Sequence, residues 1–174
     1  MLAENLYQNK LDNEAFLKTT IFKMKKMVQE SLSFINIYDV RYHRGSLHEE
    51  HFFLKDLFRY AVQNFIYVRD ERNPFNPDHA ADEFLVSPRY FQDIKYGDCE
   101  DFSMYLAAAV KAYFPKYKVF FRVVKLDVNE PFAHVYVVVK NKNNREKEII
   151  LDAGNENPVF DFECLAVERR DYEV

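Results

Sequence analysis

Apolar residues recur at steps of three and four along the first part of the chain. Between Asn13 and Tyr38, Leu17, Ile21, Met24, Val28, Leu32 and Ile35 fall on one face of a helical period, with Lys18, Lys25, Lys26 and Glu30 between them. That spacing predicts an amphipathic helix. A second helical pattern runs through Phe53, Leu54, Leu57, Phe58, Ala61, Val62, Phe65 and Ile66, after a predicted loop at Arg41 to Ser46. Asp70 to Pro77, with two prolines, predicts irregular chain. Asp98 is placed as N-cap of a third helix from Cys99 to about Phe114, with Phe102, Leu106, Ala109, Val110 and Tyr113 on its apolar face and Pro115 as its stop.

The period then changes. Lys118 to Leu126, Ala133 to Lys140 and Glu148 to Asp152 are rich in Val, Ile and Phe, and predict strands. Helices followed by a run of strands argue for an α+β fold with an antiparallel sheet. The expected organisation is one domain over residues 1–174, with a helical N-terminal extension (1–51) and a core (52–174). That N-terminal helix, with its wide apolar face, serves either the core or a protein assembly partner.

Composition narrows the function. The 174 residues are 48% hydrophobic and 30% charged, enough apolar material for a real core, and the net charge of −4 comes without a basic stripe, so a nucleic-acid partner is not expected. With 3 glycines (Gly45, Gly97 and Gly154), no Gly-rich phosphate loop or dinucleotide fingerprint can be built. Cys99 and Cys164 are too few for a disulfide framework and are read as thiols of a reducing compartment. No stretch has the length and apolarity of a membrane span, and Met1 to Lys10 lacks a secretory signal's apolar run, so a cytoplasmic protein is expected.

Candidate chemistry lies in the last two thirds. Asn141 to Arg145 reads as a hairpin loop, and a turn centred near Asn143 sets His134 directly across from Asp152 on the same face. A register slip of one residue would separate them. A carboxylate beside His134 fixes the ring's tautomer and orientation, the role of the third member of a nucleophilic triad. Cys99, at the first turn of its helix where unpaired amides and the helix dipole favour a thiolate, is the candidate nucleophile, although Glu100 and Asp101 add opposing negative charge. Taken singly, each residue has a plainer reading: a buried thiol, a strand-end histidine, a turn carboxylate. Cys164 is read as a buried thiol, Asp78-His79 as solvated, and His48 and His51 as the polar start of a helix, since no third ligand stands near them. No metal or cofactor site is predicted.

Gly97-Asp98-Cys99-Glu100-Asp101-Phe102-Ser103, then Ala133-His134-Val135-Tyr136-Val137, then Leu151-Asp152-Ala153 resemble, in that order, the transglutaminase-like superfamily in its small prokaryotic and viral form. The resemblance spans about Phe52 to Gly154. It implies a papain-like core, with the Cys99 helix packed on the antiparallel sheet, and a Cys-His-Asp triad that passes an acyl group from a peptide or protein substrate through a thioester. The chain has no Trp and carries Glu100 directly after the cysteine, where the cross-linking enzymes carry an indole, so hydrolysis is expected over cross-linking. No second oxyanion donor is evident; Gln92 is a candidate by residue type only. The alternative is a non-catalytic structural or interaction module, for example of a phage particle, with the protein then in host cytoplasm or virion.

Overall fold

The computed structural model describes residues 2–36, 47–70, 84–141, 144–155 and 157–174, with backbone alone at 2–12, 47–50 and 144–146. The predicted loop at Arg41 to Ser46, Gly45, Asp78, His79, the side chain of His48 and the centre of the Asn141 to Arg145 loop lie outside the described residues.

The chain is α+β. Helix α1 (Leu2–Ser31) runs into a short 3-10 turn (Leu32–Phe34), and α2 (Leu47–Asn64) follows. Next come β1 (Ile66–Tyr67), α3 (Pro88–Ile94), β2 (Tyr96–Gly97) and α4 (Cys99–Tyr113). Strands β3 (Tyr117–Lys125), β4 (His134–Asn141), β5 (Asn144–Leu151) and β6 (Glu168–Glu173) form an antiparallel sheet in the order β5-β4-β3-β6. Strands β1 and β2 form a separate parallel pair, which the segregated reading did not include. No described helix is long and apolar enough to cross a membrane.

Helix α4 lies on one face of the sheet. Its Phe102, Met104, Tyr105, Leu106 and Ala107 to Val110 are buried together with Val119, Phe121 and Val123 of β3, Val135, Val137 and Val139 of β4, and Ile149 and Leu151 of β5. The alanines let helix and sheet approach, and alternate strand residues supply the opposing layer. Ser103 Oγ donates to the Val135 carbonyl at 3.1 Å, a polar pin between α4 and β4. The apolar face predicted for the first helix joins this core, with Ile21, Met24 and Val28 buried.

The other sheet face carries Val124, Tyr136, Val138 and Ile150, overlaid by Cys164 and Ala166. At its centre Arg122 meets Asp171 at 2.6 Å, Glu163 at 2.7 Å and Glu148 at 2.9 Å. Its side chain is only 9% exposed, so removing it takes the shared counter-charge from three half-buried carboxylates and leaves them to Lys140 and Arg169. Arg122→Met should therefore lower unfolding stability by about 3 kcal/mol in urea titration. Lys118→Met, which breaks an exposed pair with Glu173 (3.3 Å), should cost less than about 1 kcal/mol.

Candidate functional site

The hairpin brings His134 and Asp152 together by a register other than the predicted one. Val137 pairs with Leu151, Val138 with Ile150 and Val139 with Ile149, two residues away from the register that would have set His134 directly opposite Asp152. The shift is taken up at an irregularity between Lys140 and Asn141. Because strand side chains alternate with a period of two, an even shift preserves the face and turns a direct pair into a diagonal one. The contact survives: His134 Nε2 lies 2.9 Å and 3.0 Å from the two oxygens of Asp152. A carboxylate only accepts, so Nε2 carries the proton and Nδ1 of the neutral ring is left as the acceptor. Both side chains are largely buried, 12% and 4% exposed.

Cys99 opens α4 as predicted. Asp98 is the N-cap, accepting from the Glu100 amide at 3.1 Å, while its own amide donates to Asp101 at 3.3 Å, so the two acids form a reciprocal capping box. Asp101 also accepts from the Val86 amide at 2.7 Å, and Asp70 accepts from the Phe84 amide. These bonds tie the chain before α3 to the start of α4. The segment after Asp152 closes from the other side. A Cβ on Gly154 would stand 2.8 Å from Cys99 Cα and 3.2 Å from Phe102 Cβ, and one on Gly97 would stand 2.8 Å from the Phe91 ring. Both glycines serve close approach within the chain itself.

Within this frame the thiol bonds a carboxylate and not the imidazole. Cys99 Sγ donates to Glu100 Oε2 at 2.9 Å, and no Cys99–His134 hydrogen bond occurs among the described residues. Cys99 is 6% exposed. Burial pushes its thiol well above the ordinary range, and the charges of Glu100 and Asp98 push it further; only the Val135 backbone, adjacent to His134, works the other way. Burial, with Glu100 and Asp101 beside it, also pushes the Asp98 carboxyl up to about 11. Asp101 is likewise raised, by burial first and then by Glu100. The helix-start advantage expected for a thiolate is thus outweighed by burial first and then by its own acidic turn.

Two features escaped the sequence reading. Asp70, Asp98 and Asp101 bring carboxylate oxygens within 4.8 Å of one another, and Asp98, Cys99 and Glu100 form an overlapping group. Hard oxygen donors so placed suit a divalent cation such as Ca²⁺. Asp70 and Asp101 are far apart in sequence, so no local motif links them. Tyr67, on β1 opposite Gly97, is the other: burial first, then the charge of Cys99 and Asp98, pushes its hydroxyl up to about 12, keeping it a neutral donor. The remaining candidates lie elsewhere. Gln92 accepts from the Asn36 amide at 2.8 Å and donates to the Phe34 carbonyl at 3.3 Å, a structural bridge between α3 and the chain after α1. The His51 ring packs edge-on against Phe160 at 5.3 Å. Cys164 is half-buried, its thiol raised by burial and then by the nearby Asp152.

No protein-family model and no curated protein matches the chain. Solved structures similar to it include Legionella pneumophila LapG in a calcium-bound form, with 18% identity, 80% of this chain and 76% of that one covered, and a TM-score of 0.41. An EGTA-treated form of the same protein gives 17% identity, coverage of 79% and 74%, and a TM-score of 0.39.

The tight backbone contact at Cys99 yields a direct test. Gly154→Ala should force the 152–154 segment away from α4 and cost about 1–3 kcal/mol in denaturant melts, as overpacking does, with the His134 ring resonances displaced in NMR spectra. A loss below about 0.5 kcal/mol with unmoved His134 resonances would show that the contact is not a constraint.

Proposed function

We propose that the protein is a cysteine hydrolase of transglutaminase-like type that cleaves peptide or isopeptide bonds in a protein substrate. The observation that carries this reading is the His134–Asp152 pair at 2.9 Å, on a sheet whose next turn of chain packs directly against the backbone of Cys99. Cys99 is the nucleophile, His134 the general base and then acid, and Asp152 the residue that orients the ring. Turnover requires Sγ to exchange its Glu100 partner for His134 Nδ1. The proton then passes from sulfur to Nδ1 as sulfur bonds the substrate carbonyl carbon. The Cys99 amide, the first-turn amide of α4 that the Asp98 cap does not take up, is offered to the developing oxyanion, and His134 returns the proton to the leaving amine. Water, deprotonated by the same nitrogen, releases the acyl group from the thioester.

The acidic residues around Cys99 acquire a role under this reading. Asp98 and Glu100, with Asp70 and Asp101 behind them, would hold a divalent cation, whose charge would offset the carboxylates that raise the thiol. Calcium at about one hundred times its dissociation constant should stabilise the protein by about 2.7 kcal/mol, roughly a 5–10 °C rise in Tm, reversed by chelation and removed by Asp98→Asn. An unchanged Tm with Ca²⁺, Mg²⁺ and Mn²⁺ alike would leave the cluster without a cation.

The burial of Cys99 and its bond to Glu100 favour a second reading, a structural or interaction module that retains the fold. An unbiased peptide-library cleavage assay with iodoacetamide labelling separates the two. The hydrolase should cleave a subset of peptides, lose that activity in Cys99→Ala, and lose it by about 10²–10⁴-fold in His134→Ala. Its Cys99 should label faster than Cys164, with the difference abolished in His134→Ala. No cleavage, with equally slow labelling of both thiols, would establish the structural module.

A further inference from the structure

A cavity of 410 Å³ opens between α2 and the segment Pro158 to Phe160, lined by Lys55, Phe58, Arg59, Val62, Gln63 and that segment. Its floor is apolar. Phe58 and Phe160 meet edge to face at 5.7 Å, and His51 backs Phe160 from behind. Its polar rim has one sign of charge: Lys55 and Arg59 stand one helical turn apart on the same face of α2, and no acidic residue is among the described residues that line the cavity. Arg59 reaches Asp56 at 3.7 Å across an exposed surface, a weak pair. Lys55 is half-buried yet makes no hydrogen bond or ion pair with any described residue. In a chain of net charge −4, a half-buried lysine without a counter-charge among the described residues, at the edge of an apolar groove, is complementary to an anion carried on an apolar ligand.

The groove is joined to the candidate site. Its wall is the continuation of the segment that carries Asp152 and then presses Gly154 against Cys99. Asn155 Nδ2 donates to the Asp152 carbonyl at 3.1 Å, and its Oδ1 accepts from the Asn157 amide at 2.8 Å, stiffening the connection. Pro158 is six positions after Asp152, so the two places lie no more than about 20 Å apart, a span that about six extended residues of a peptide cover.

We propose that the groove between α2 and Pro158 to Phe160 docks an extended peptide segment bearing an apolar side chain next to a carboxylate, and so selects protein substrates that carry such a segment about six residues from the bond attacked. The docking half stands by itself; the substrate half rests on the hydrolase reading. The test uses full-length Cys99→Ala protein and fluorescein-labelled decapeptides of glycine and serine with a central leucine–aspartate pair. Control peptides carry leucine–lysine or serine–aspartate pairs. Polarisation should show binding of the first peptide at least tenfold tighter than either control, weakening as salt rises. Arg59→Glu, at an exposed position that spares the fold, and Lys55→Glu should each weaken it at least tenfold. Equal binding of all peptides, no binding at millimolar concentration, or unchanged affinity in both charge reversals would overturn the proposal. Protein with Cys99 intact, given the same peptides lengthened by about ten residues on each side so that they reach Cys99, then separates the two readings: binding without any cleavage retains the docking groove and removes the hydrolase. Cleavage whose KM is indifferent to Arg59→Glu removes the groove's role in selection and retains the hydrolase.

Discussion

The reciprocal cap between Asp98 and Asp101 is the constraint from which the rest of the site follows. Two buried carboxylates, themselves crowded by Glu100, begin α4, and each is held by backbone amides: Asp98 by that of Glu100, Asp101 by those of Asp98 and Val86. Acids at a helix start are favoured by the dipole and by otherwise unpaired amides, so the cap is locally stabilising. The same charges oppose ionisation of the thiol that the helix presents. Position and reactivity of Cys99 are thus set by the same side chains with opposite sign, and anything that discharges the carboxylates, a proton or a cation, changes the thiol as well.

That coupling explains why geometry and electrostatics point in different directions at first sight. The imidazole–carboxylate pair is assembled and the backbone around Cys99 is packed to contact, yet the sulfur is turned to Glu100. The backbone positions of His134 and Asp152 are set by the pairing of β4 with β5, whereas Sγ is carried on a single rotatable side-chain bond.

Much of this was legible in the chain. Asp98 as cap, the extent of α4 and the central strands followed from the apolar period and the turn residues, because in each the local preference and the tertiary demand agree. The hairpin register was misplaced by two residues, since an irregularity between Lys140 and Asn141 has no composition signal of its own. The face was nonetheless right, because side-chain alternation tolerates an even error. Strand β6 was missed: Glu-Arg-Arg-Asp-Tyr-Glu has no apolar alternation, and what holds it is pairing with β3 and the charge of Arg122. Asp70 and the grouping of carboxylates were illegible for a different reason, being long-range consequences of how the chain before α3 folds back on α4.

Strand β3 occupies the middle of the sheet, between a partner that follows it at once and another that arrives only with residues 168–173. Val174 is bonded both to Val119 of β3, at 2.8 Å, and to Lys111 of α4. During synthesis, then, the platform beneath the cysteine helix cannot be completed until residues 168–174 have cleared the ribosome. Before that, Arg122 stands without Asp171, and one long edge of β3 is open to pairing with whatever strand it meets. The arrangement leaves the sheet that supports α4 unfinished in any nascent chain that has not yet released residues 168–174.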